Sequence, residues 1–454
     1  MTGDKKYADF GKQCFDKAFE GVRDRDGQGR YSFKAPGGAL RAGPSLGWYA
    51  LGYDLCYDGW DEAYQKKVAE AISSYNKGQK DTSLEDLARG VRQFPGSNHW
   101  GMIVGGGAMA CLAITGDAGV DQPKIDKLLK ASAQCMVINM TKGFGDGGFF
   151  AEGDGTGSMS SHIIFLTALQ AWKTAQGKDF VSPKPNAQWM ALKWMFLTVP
   201  SGDAGKMAND FPKRGAYPQN IWARTGLSGA GYFCIPFVIL NDDQKAAQLW
   251  YYNKWLKDWD DKNNTPYDTP SPYPHYAVLS FVNWPLTMTT KDPDEVMPHA
   301  YSDTKWGFYA WRNRWQDTDD TVISILTRTA RGNMQAPGEK TLTVWGCGKR
   351  ITWGIITGGF KGEYAPKADG STVLMTGDDS CLAIDFSKAS SADAMLVMTG
   401  PGAPKDGVTL ANGTKVSFLF LTKGQVPTPT VAGDKIVIGE QTVSLDGNKL
   451  VLAK

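Results

Sequence analysis

The stretch FPGSNHWGMIVGGGAMACLAITGD (94–117) decides the fold that we predict for this chain. Its polar start, Ser97-Asn98-His99, leads into an apolar run rich in Gly and Ala, a composition typical of a buried helix. A second polar segment, GFGDGGFFAEGDGTGSMSSH (143–162), follows one predicted helix later. We therefore expect a helical unit with two polar clusters at the same end, where a ligand rich in hydroxyl groups can bind.

The sequence around this stretch has helical periodicity up to about residue 290. Apolar residues recur every three to four positions, and loops rich in Gly, Pro and Asp separate the periodic segments. Successive helix pairs with functional loops at one end are typical of an α/α toroid. The predicted helices cover residues 4–22, 44–57, 61–75, 101–116, 123–140, 160–176, 187–199, 228–240, 243–258 and 275–287.

From about residue 300 the pattern changes to short β-branched runs separated by turn signals such as Asn412-Gly413 and Asp446-Gly447. Many short strands at this spacing indicate an antiparallel β-sandwich. We therefore predict an α+β multidomain chain, with an N-terminal α/α toroid (1–295) as catalytic domain and a C-terminal antiparallel β-sandwich (296–454). The predicted strands cover residues 307–312, 321–326, 340–346, 350–357, 372–376, 381–386, 393–398, 415–421, 435–438 and 449–453.

Composition limits the possible partners. The chain has 49 Lys and Arg residues against 47 Asp and Glu residues, a formal net charge of +2. This balance gives no support for a nucleic-acid partner. No apolar run reaches the ~18 residues of a membrane helix, so no membrane span is expected. The start, MTGDKKYADF, contains no signal-peptide segment; a secreted or periplasmic location is expected only if such a peptide has been removed.

Cysteines and acidic residues give little sign of a disulfide framework or a cofactor. The seven cysteines form no CxxC pair, and most lie in apolar surroundings, so we interpret them as small buried side chains. Asp146, Glu152 and Asp154 form a carboxylate-rich loop, but their spacing matches no EF-hand. We predict no cofactor and leave a structural divalent metal open.

Four segments occur in an order that resembles heparinase II/III-like polysaccharide lyases. They cover most of the chain, and each resembles a short motif of that family. The segments are GWYALGYDLCYDGWDEAYQKKVAEAI (47–72), Asn98-His99-Trp100, DGGFFAEG (146–153), and the stretch from PHAY (298–301) to WRNRW (311–315).

The resemblance implies β-elimination at a uronic acid. In that reaction an Asn or His neutralises the sugar carboxylate, a Tyr or His removes the C5 proton, and a Tyr or His protonates the leaving oxygen. The C5 proton is a poor acid until hydrogen bonds stabilise the developing enolate charge. Carried over by position, Asn98 and His99 are the neutralising pair, with Trp100 and Glu152 as substrate-binding residues.

Two features of the family pattern are missing. No Tyr follows the EG loop in residues 154–159, and no His occurs in RTARGNMQAPGEKT (328–341). Other residues would then act as base or acid. The candidates are His162 beside the Gly-rich loop, Tyr217, and the neighbouring pair His275 and Tyr276.

Arg214 and Arg224 flank Tyr217 in a segment with few apolar residues. Arg is suited to bidentate recognition of carboxylate or sulfate, so both are expected to bind acidic groups of the substrate. A positive charge nearby would also help a Tyr to deprotonate from its usual pKa of about 10. A structural loop held by ion pairs is the alternative interpretation of this segment.

The predicted function is therefore that of a carbon–oxygen lyase that cleaves a uronate-containing polysaccharide or oligosaccharide. One alternative is a glycoside hydrolase that uses two carboxylates among Asp146, Glu152 and Asp154. Another is a glycan-binding protein of the same fold without catalysis. The structural interpretations also stay open: His99 as a cap or core residue, the acidic loop as a tight turn, and the triple glycine (105–107) as a helix-packing patch.

Overall fold

The apolar stretch after Ser97 forms one long helix, α5 (Asn98–Ala113), which is buried along nearly its whole length. A helix that is apolar on every side is stable only when other elements surround it. The computed structural model describes residues 3–22, 33–34, 39–76, 82–91, 94–153, 164–184, 187–200, 207–209, 234–258, 276–327, 341–356, 364–366 and 371–454.

Helices make up most of the described residues up to Val296. Asp61 and Asp121 accept hydrogen bonds from the first turns of the helices that follow them, and Ser83 with Asp86 forms a capping box. The helices are α1 (Lys5–Glu20), α2 (Ala39–Cys56), α3 (Glu62–Ser73), α4 (Leu84–Arg89), α5, α6 (Gln122–Ile138), α7 (Phe165–Gln176), α8 (Trp189–Leu197), α9 (Asp242–Trp255), α10 (Tyr276–Asn283) and α11 (Pro293–Val296), with 3₁₀ turns at Tyr57–Gly59 and Ile235–Val238.

The triple glycine (105–107) lets three helices approach α5 closely. A Cβ on the first glycine would lie 3.0 Å from the backbone of Phe165 in α7. A Cβ on the second would overlap the carbonyl group of Gly43 in α2, and one on the third would lie 2.5 Å from the amide nitrogen of Ala88 in α4. The interpretation of this triplet as a helix-packing patch is therefore confirmed.

The described strands are antiparallel, and all but the first two lie after residue 299. They are β1 (Val199–Pro200), β2 (Met207–Asn209), β3 (Ala300–Asp303), β4 (Phe308–Arg312), β5 (Val322–Leu326), β6 (Thr341–Gly346), β7 (Lys349–Ile351), β8 (Tyr364–Pro366), β9 (Thr372–Thr376), β10 (Cys381–Asp385), β11 (Ala394–Thr399), β12 (Val408–Thr409), β13 (Lys415–Leu421), β14 (Thr430–Ala432), β15 (Lys435–Ile438), β16 (Gln441–Asp446) and β17 (Lys449–Ala453). They form a two-stranded sheet of β1 and β2, a five-stranded sheet in the order β3-β4-β5-β6-β7, a six-stranded sheet in the order β12-β13-β11-β10-β9-β8, and a four-stranded meander of β14 to β17.

The six-stranded sheet is covered on both faces. Leu382 and Ile384 of β10 join a core with Trp311 and Ile323 of the five-stranded sheet. The alternate residues of β10 point to a second core shared with the meander. This explains why every residue of β10 and β11 is buried.

The chain forms two compact units, which we call the helical unit and the strand unit. They comprise, respectively, Met1–Leu192, Arg214–Asn241 and Asp260–Thr287, and Lys193–Lys213, Asp242–Trp259 and Met288–Lys454. The sequence predicts a single boundary between residues 295 and 296, whereas the strand unit begins its last segment at Met288 and also includes two earlier segments. In this unit α9 packs against α11, and Lys291 forms an ion pair with Asp243.

Arg312 explains how one of those earlier segments belongs to the strand unit. Its guanidinium is fully buried, forms a 2.7 Å ion pair with Asp320, and donates hydrogen bonds to the carbonyl oxygens of Phe196 and Thr198. Removing one partner of such a buried pair typically costs about 3–5 kcal/mol. Arg312 therefore has a structural role between β4 and the end of α8.

Most predicted elements are confirmed, with shifts at their ends. Helices lie in the predicted segments 4–22, 61–75 and 123–140, and strands in most predicted strand segments. The predicted strand over 350–357 is shorter, since β7 ends at Ile351. Seven of the described strands were not predicted, namely β1, β2, β3, β8, β12, β14 and β16. No helix in the described ranges is long and apolar enough to cross a membrane.

We expect Gly106→Ala to destabilise the helical unit by about 3 kcal/mol, since neither backbone can move away without separating α5 from α2. Gly52→Ala in α2 is the matched control, because its Cβ would meet the Phe15 ring at an ordinary 3.4 Å. The control should be neutral or slightly stabilised, given the helix propensity of Ala. Thermal unfolding followed by far-UV circular dichroism measures both; equal stability of the two variants would contradict the close packing.

Candidate functional site

The first residues of α5 are Asn98 and His99, and two side chains cap their backbone N–H groups. The hydroxyl of Ser97 accepts a hydrogen bond from His99 N at 3.2 Å, and the carboxylate of Glu152 accepts one from Asn98 N at 3.1 Å. The first N–H groups of a helix have no partner inside the helix. Glu152, from the second polar segment, thus holds the start of α5, and the two predicted polar clusters meet.

A π-helical turn at Asn139–Gly143 brings the Glu152 loop to this position. The turn ends α6, and Ala151 N then donates a hydrogen bond to Gly143 O at 3.0 Å. Gly143 is required there, because a Cβ would overlap Pro95 O and lie 2.6 Å from the Asn139 side-chain oxygen. Such π-helical turns are rare and frequently occur at functional sites.

Glu152 is a buried carboxyl group, with only 1% of its surface exposed. Burial raises its pKa to about 7, and the hydrogen bond from the Asn98 N–H opposes that rise. The group therefore changes its charge near neutral pH, directly beneath the first turn of α5.

His99 is half-buried and lies near Arg41 of α2. Burial lowers the pKa of the imidazole below its usual value of 6.5, and the positive charge of Arg41 lowers it further. His99 is therefore neutral at pH 7 and can either donate a hydrogen bond or accept a proton. Arg41 and the positive end of the α5 dipole both favour negative charge at this position, where the Glu152 carboxyl already caps the Asn98 N–H.

Two buried amide side chains lie at the same end of the helical unit. Asn98 is 5% exposed and Asn139 is fully buried. Within the described part of the chain, neither Asn98 Oδ1 nor either amide atom of Asn139 has a hydrogen-bond partner. A buried polar atom in that state costs about 1–3 kcal/mol, so this end of the unit gives up stability to keep polar groups in place.

Trp100 has a packing role in the structure. It is buried, and its indole N–H donates a hydrogen bond to Cys135 O in α6 at 3.2 Å. Its six-membered ring also fills the space beside Gly90. This hydrogen bond links α5 to α6 and helps to position Asn98 and His99, the two residues before Trp100.

The remaining predicted site residues lie at the edge of the described residues or outside them. Tyr276 begins α10, but its side chain is not among those described. The others lie outside the described residues, as does Asp154; they are His162, Tyr217, His275, Arg214 and Arg224.

The acidic loop does not present two carboxylates together in its described part. Glu152 points inward against α5, whereas Asp146 is exposed on the loop. Among the described residues, no group of three or more His, Cys, Asp or Glu side chains could hold a metal ion.

Arg41 and Asn139 are site residues that the sequence analysis missed. Arg41 is the single basic residue of the largely apolar helix α2, whose other charged residue, Asp54, lies near the opposite end, and that pattern was the available signal. Asn139 follows a long amphipathic helix without a special motif, so its burial could not be read from the sequence.

Compared with models of protein families and with curated proteins, the chain matches none.

We expect the free energy of unfolding of the chain to decrease as the pH rises, because of Glu152. The folded chain keeps the Glu152 proton up to about pH 7, whereas the unfolded chain releases it near 4.5. Stability is therefore lost as the pH rises through this window. In Glu152→Gln this loss should disappear, so the variant should gain about 2 kcal/mol relative to the parent between about pH 5 and pH 8.

Chemical denaturation at a series of pH values measures this difference. Asp146→Asn is the control, since it removes an exposed carboxylate from the same loop and should show the pH profile of the parent. A constant difference between Glu152→Gln and the parent at all pH values would contradict the shifted pKa.

Proposed function

We propose that the chain is a polysaccharide lyase that cleaves a uronate-containing acidic glycan by β-elimination. The observation that carries the proposal is the position of Asn98 and His99 at the positive end of α5, beside the Arg41 cation. That end of the helical unit attracts a negative group, and in a uronate glycan the group next to the acidic C5 proton is a carboxylate.

The chemistry assigned to the described residues is charge stabilisation. His99, neutral at pH 7, donates a hydrogen bond to the sugar carboxylate, while Arg41 and the α5 dipole stabilise the negative charge that grows as C5 loses its proton. Glu152 is a positioning residue, because its hydrogen bond fixes the first turn of α5. Asn98 completes the neutralising pair from the buried side.

The proton-transfer steps need further residues. Under the lyase hypothesis the base and the acid come from His162, Tyr217, His275 and Tyr276, and Arg214 and Arg224 bind other acidic groups of the glycan. The reaction itself comes from the resemblance to heparinase II/III-like lyases, whereas these residues are assigned from their own sequence surroundings, because the Tyr and His of the family pattern are missing. We also propose the domain architecture of this family, in which the helices form an α/α toroid and the two facing sheets form a β-sandwich. The core shared by the five- and six-stranded sheets supports the β-sandwich.

A glycoside hydrolase is the second candidate, and one observation favours it. The pKa of Glu152, near 7, is what a general acid at neutral pH requires. Against it, the Glu152 carboxylate already accepts the Asn98 N–H under the helix, and the described loop offers only the exposed Asp146 as second carboxylate. A glycan-binding protein without catalysis would share the anion-attracting surface.

The test is product analysis with a panel of uronate glycans. The lyase hypothesis predicts products with an unsaturated sugar, detected by ultraviolet absorbance, in step with new chain ends. His99→Ala and Arg41→Gln should each lower kcat/KM by about 10²- to 10³-fold, the usual effect of losing one group that stabilises a developing anion. Asn98→Ala should lower it by a similar factor.

Asp146→Asn is the matched control and should retain activity under the lyase hypothesis. New reducing ends without absorbance, lost in Asp146→Asn, would instead establish hydrolysis. Binding without any cleavage, weakened by Arg41→Gln, would establish a binding protein.

A further inference from the structure

The chain contains one pair of accessible cysteines that lie close together, Cys14 and Cys56. Of the seven cysteines, Cys14 is exposed and Cys56 is partly exposed, whereas Cys347, the other accessible thiol, belongs to the strand unit. The remaining four are buried. Selection by exposure therefore leaves a single candidate pair in the helical unit.

The packing of α1 on α2 brings these two thiols together. A Cβ on Gly11 of α1 would lie 2.7 Å from the Cys56 sulfur, so this sulfur sits directly against the α1 backbone. Cys14 is one turn further along the same side, and side chains at that spacing have Cβ atoms about 5–6 Å apart. Besides burial, the neighbouring Cys14 thiol raises the pKa of Cys56, as expected for two sulfur atoms at short range.

Hydrogen bonds to α1 residues on both sides of Gly11 hold this helix in position. The Trp60 indole donates a hydrogen bond to Ala8 O at 2.8 Å, and the Tyr64 hydroxyl donates one to Lys12 O at 3.0 Å. Cys56 is the last residue of α2, where the chain turns into the 3₁₀ turn. A small adjustment there can bring the two Cα atoms within the ~4.4–6.8 Å that a disulfide needs.

We propose that Cys14 and Cys56 are a redox-active thiol pair that forms a disulfide between α1 and the end of α2. The oxidant is a low-molecular-weight disulfide of the glutathione type. The more exposed Cys14 attacks it as a thiolate, which forms a mixed disulfide and releases one small thiol. The Cys56 thiolate then attacks the Cys14 sulfur, and the bond to the second small thiol breaks.

The reaction balances with respect to electrons and protons. The protein loses two electrons and two protons, and the small disulfide becomes two thiols. The new bond closes a loop that contains the last seven residues of α1 and all of α2, which restricts the unfolded chain. The disulfide thus fastens the N-terminal helix to the helix that carries Arg41.

The experiment uses the full chain, equilibrated with oxidised and reduced glutathione at several ratios, then alkylated, digested and examined by mass spectrometry without reduction. The expected result is a peptide pair linked through Cys14 and Cys56 within one chain, with the other five thiols alkylated. Cys347→Ser should leave the bond intact, whereas Cys14→Ser and Cys56→Ser should each abolish it.

The native fold should accommodate the bond, so the oxidised chain should unfold at a midpoint roughly 5 °C higher than the reduced chain, and a reductant should remove the gain. Glutathione retained on Cys14 with Cys56 alkylated would overturn the proposal. So would a bond found only between two chains, or an unchanged or lower unfolding midpoint for the bridged form.

Discussion

The close approach of helix backbones at residues 105–107 is the constraint on which the helical unit depends. Three consecutive glycines on α5 each face a different helix, and a side chain at any of them would collide with backbone. Because backbone cannot move as a side chain can, the distances between α5 and α2, α4 and α7 are fixed within narrow limits. Gly43 in α2 makes the tightest of these contacts, only two residues from Arg41. The packing that builds the core therefore also sets the distance between Arg41 and His99.

Glu152 likewise has a role both in the fold and in the site. One hydrogen bond from Asn98 N both satisfies the start of a buried helix and anchors the glycine-rich loop. A buried carboxyl group is a costly cap at high pH, and a neutral amide would serve there as well. Its position beside two buried Asn side chains fits a site in which polar groups are held for binding at some expense of stability.

Much of the fold could be predicted from the sequence, because local periodicity and turn chemistry determine it. The helical packing role of the triple glycine and the hairpin turn at Asp446-Gly447 were both predicted correctly, and Gly447 has the positive φ that such a turn requires. Contacts between residues distant in the chain could not be predicted from local sequence patterns. For example, α5 begins three residues earlier than predicted because Ser97 and Glu152 cap it. The two segments that join the strand unit, and the position of Arg41 beside His99, likewise depend on partners distant in the chain. The sequence identified the two polar clusters with Asn98, His99 and Glu152 as candidate residues, but it did not show that Glu152 caps α5 or that Arg41 lies nearby.

The central claim is that α2 places a cation beside a neutral imidazole at the start of α5. Titration of the His99 ring by NMR, in the parent and in Arg41→Gln, tests it most directly. The account predicts a pKa for His99 below 6.5 in the parent, and a rise toward that value when the guanidinium is removed. A pKa at or above 6.5 in the parent, unchanged by the substitution, would contradict it.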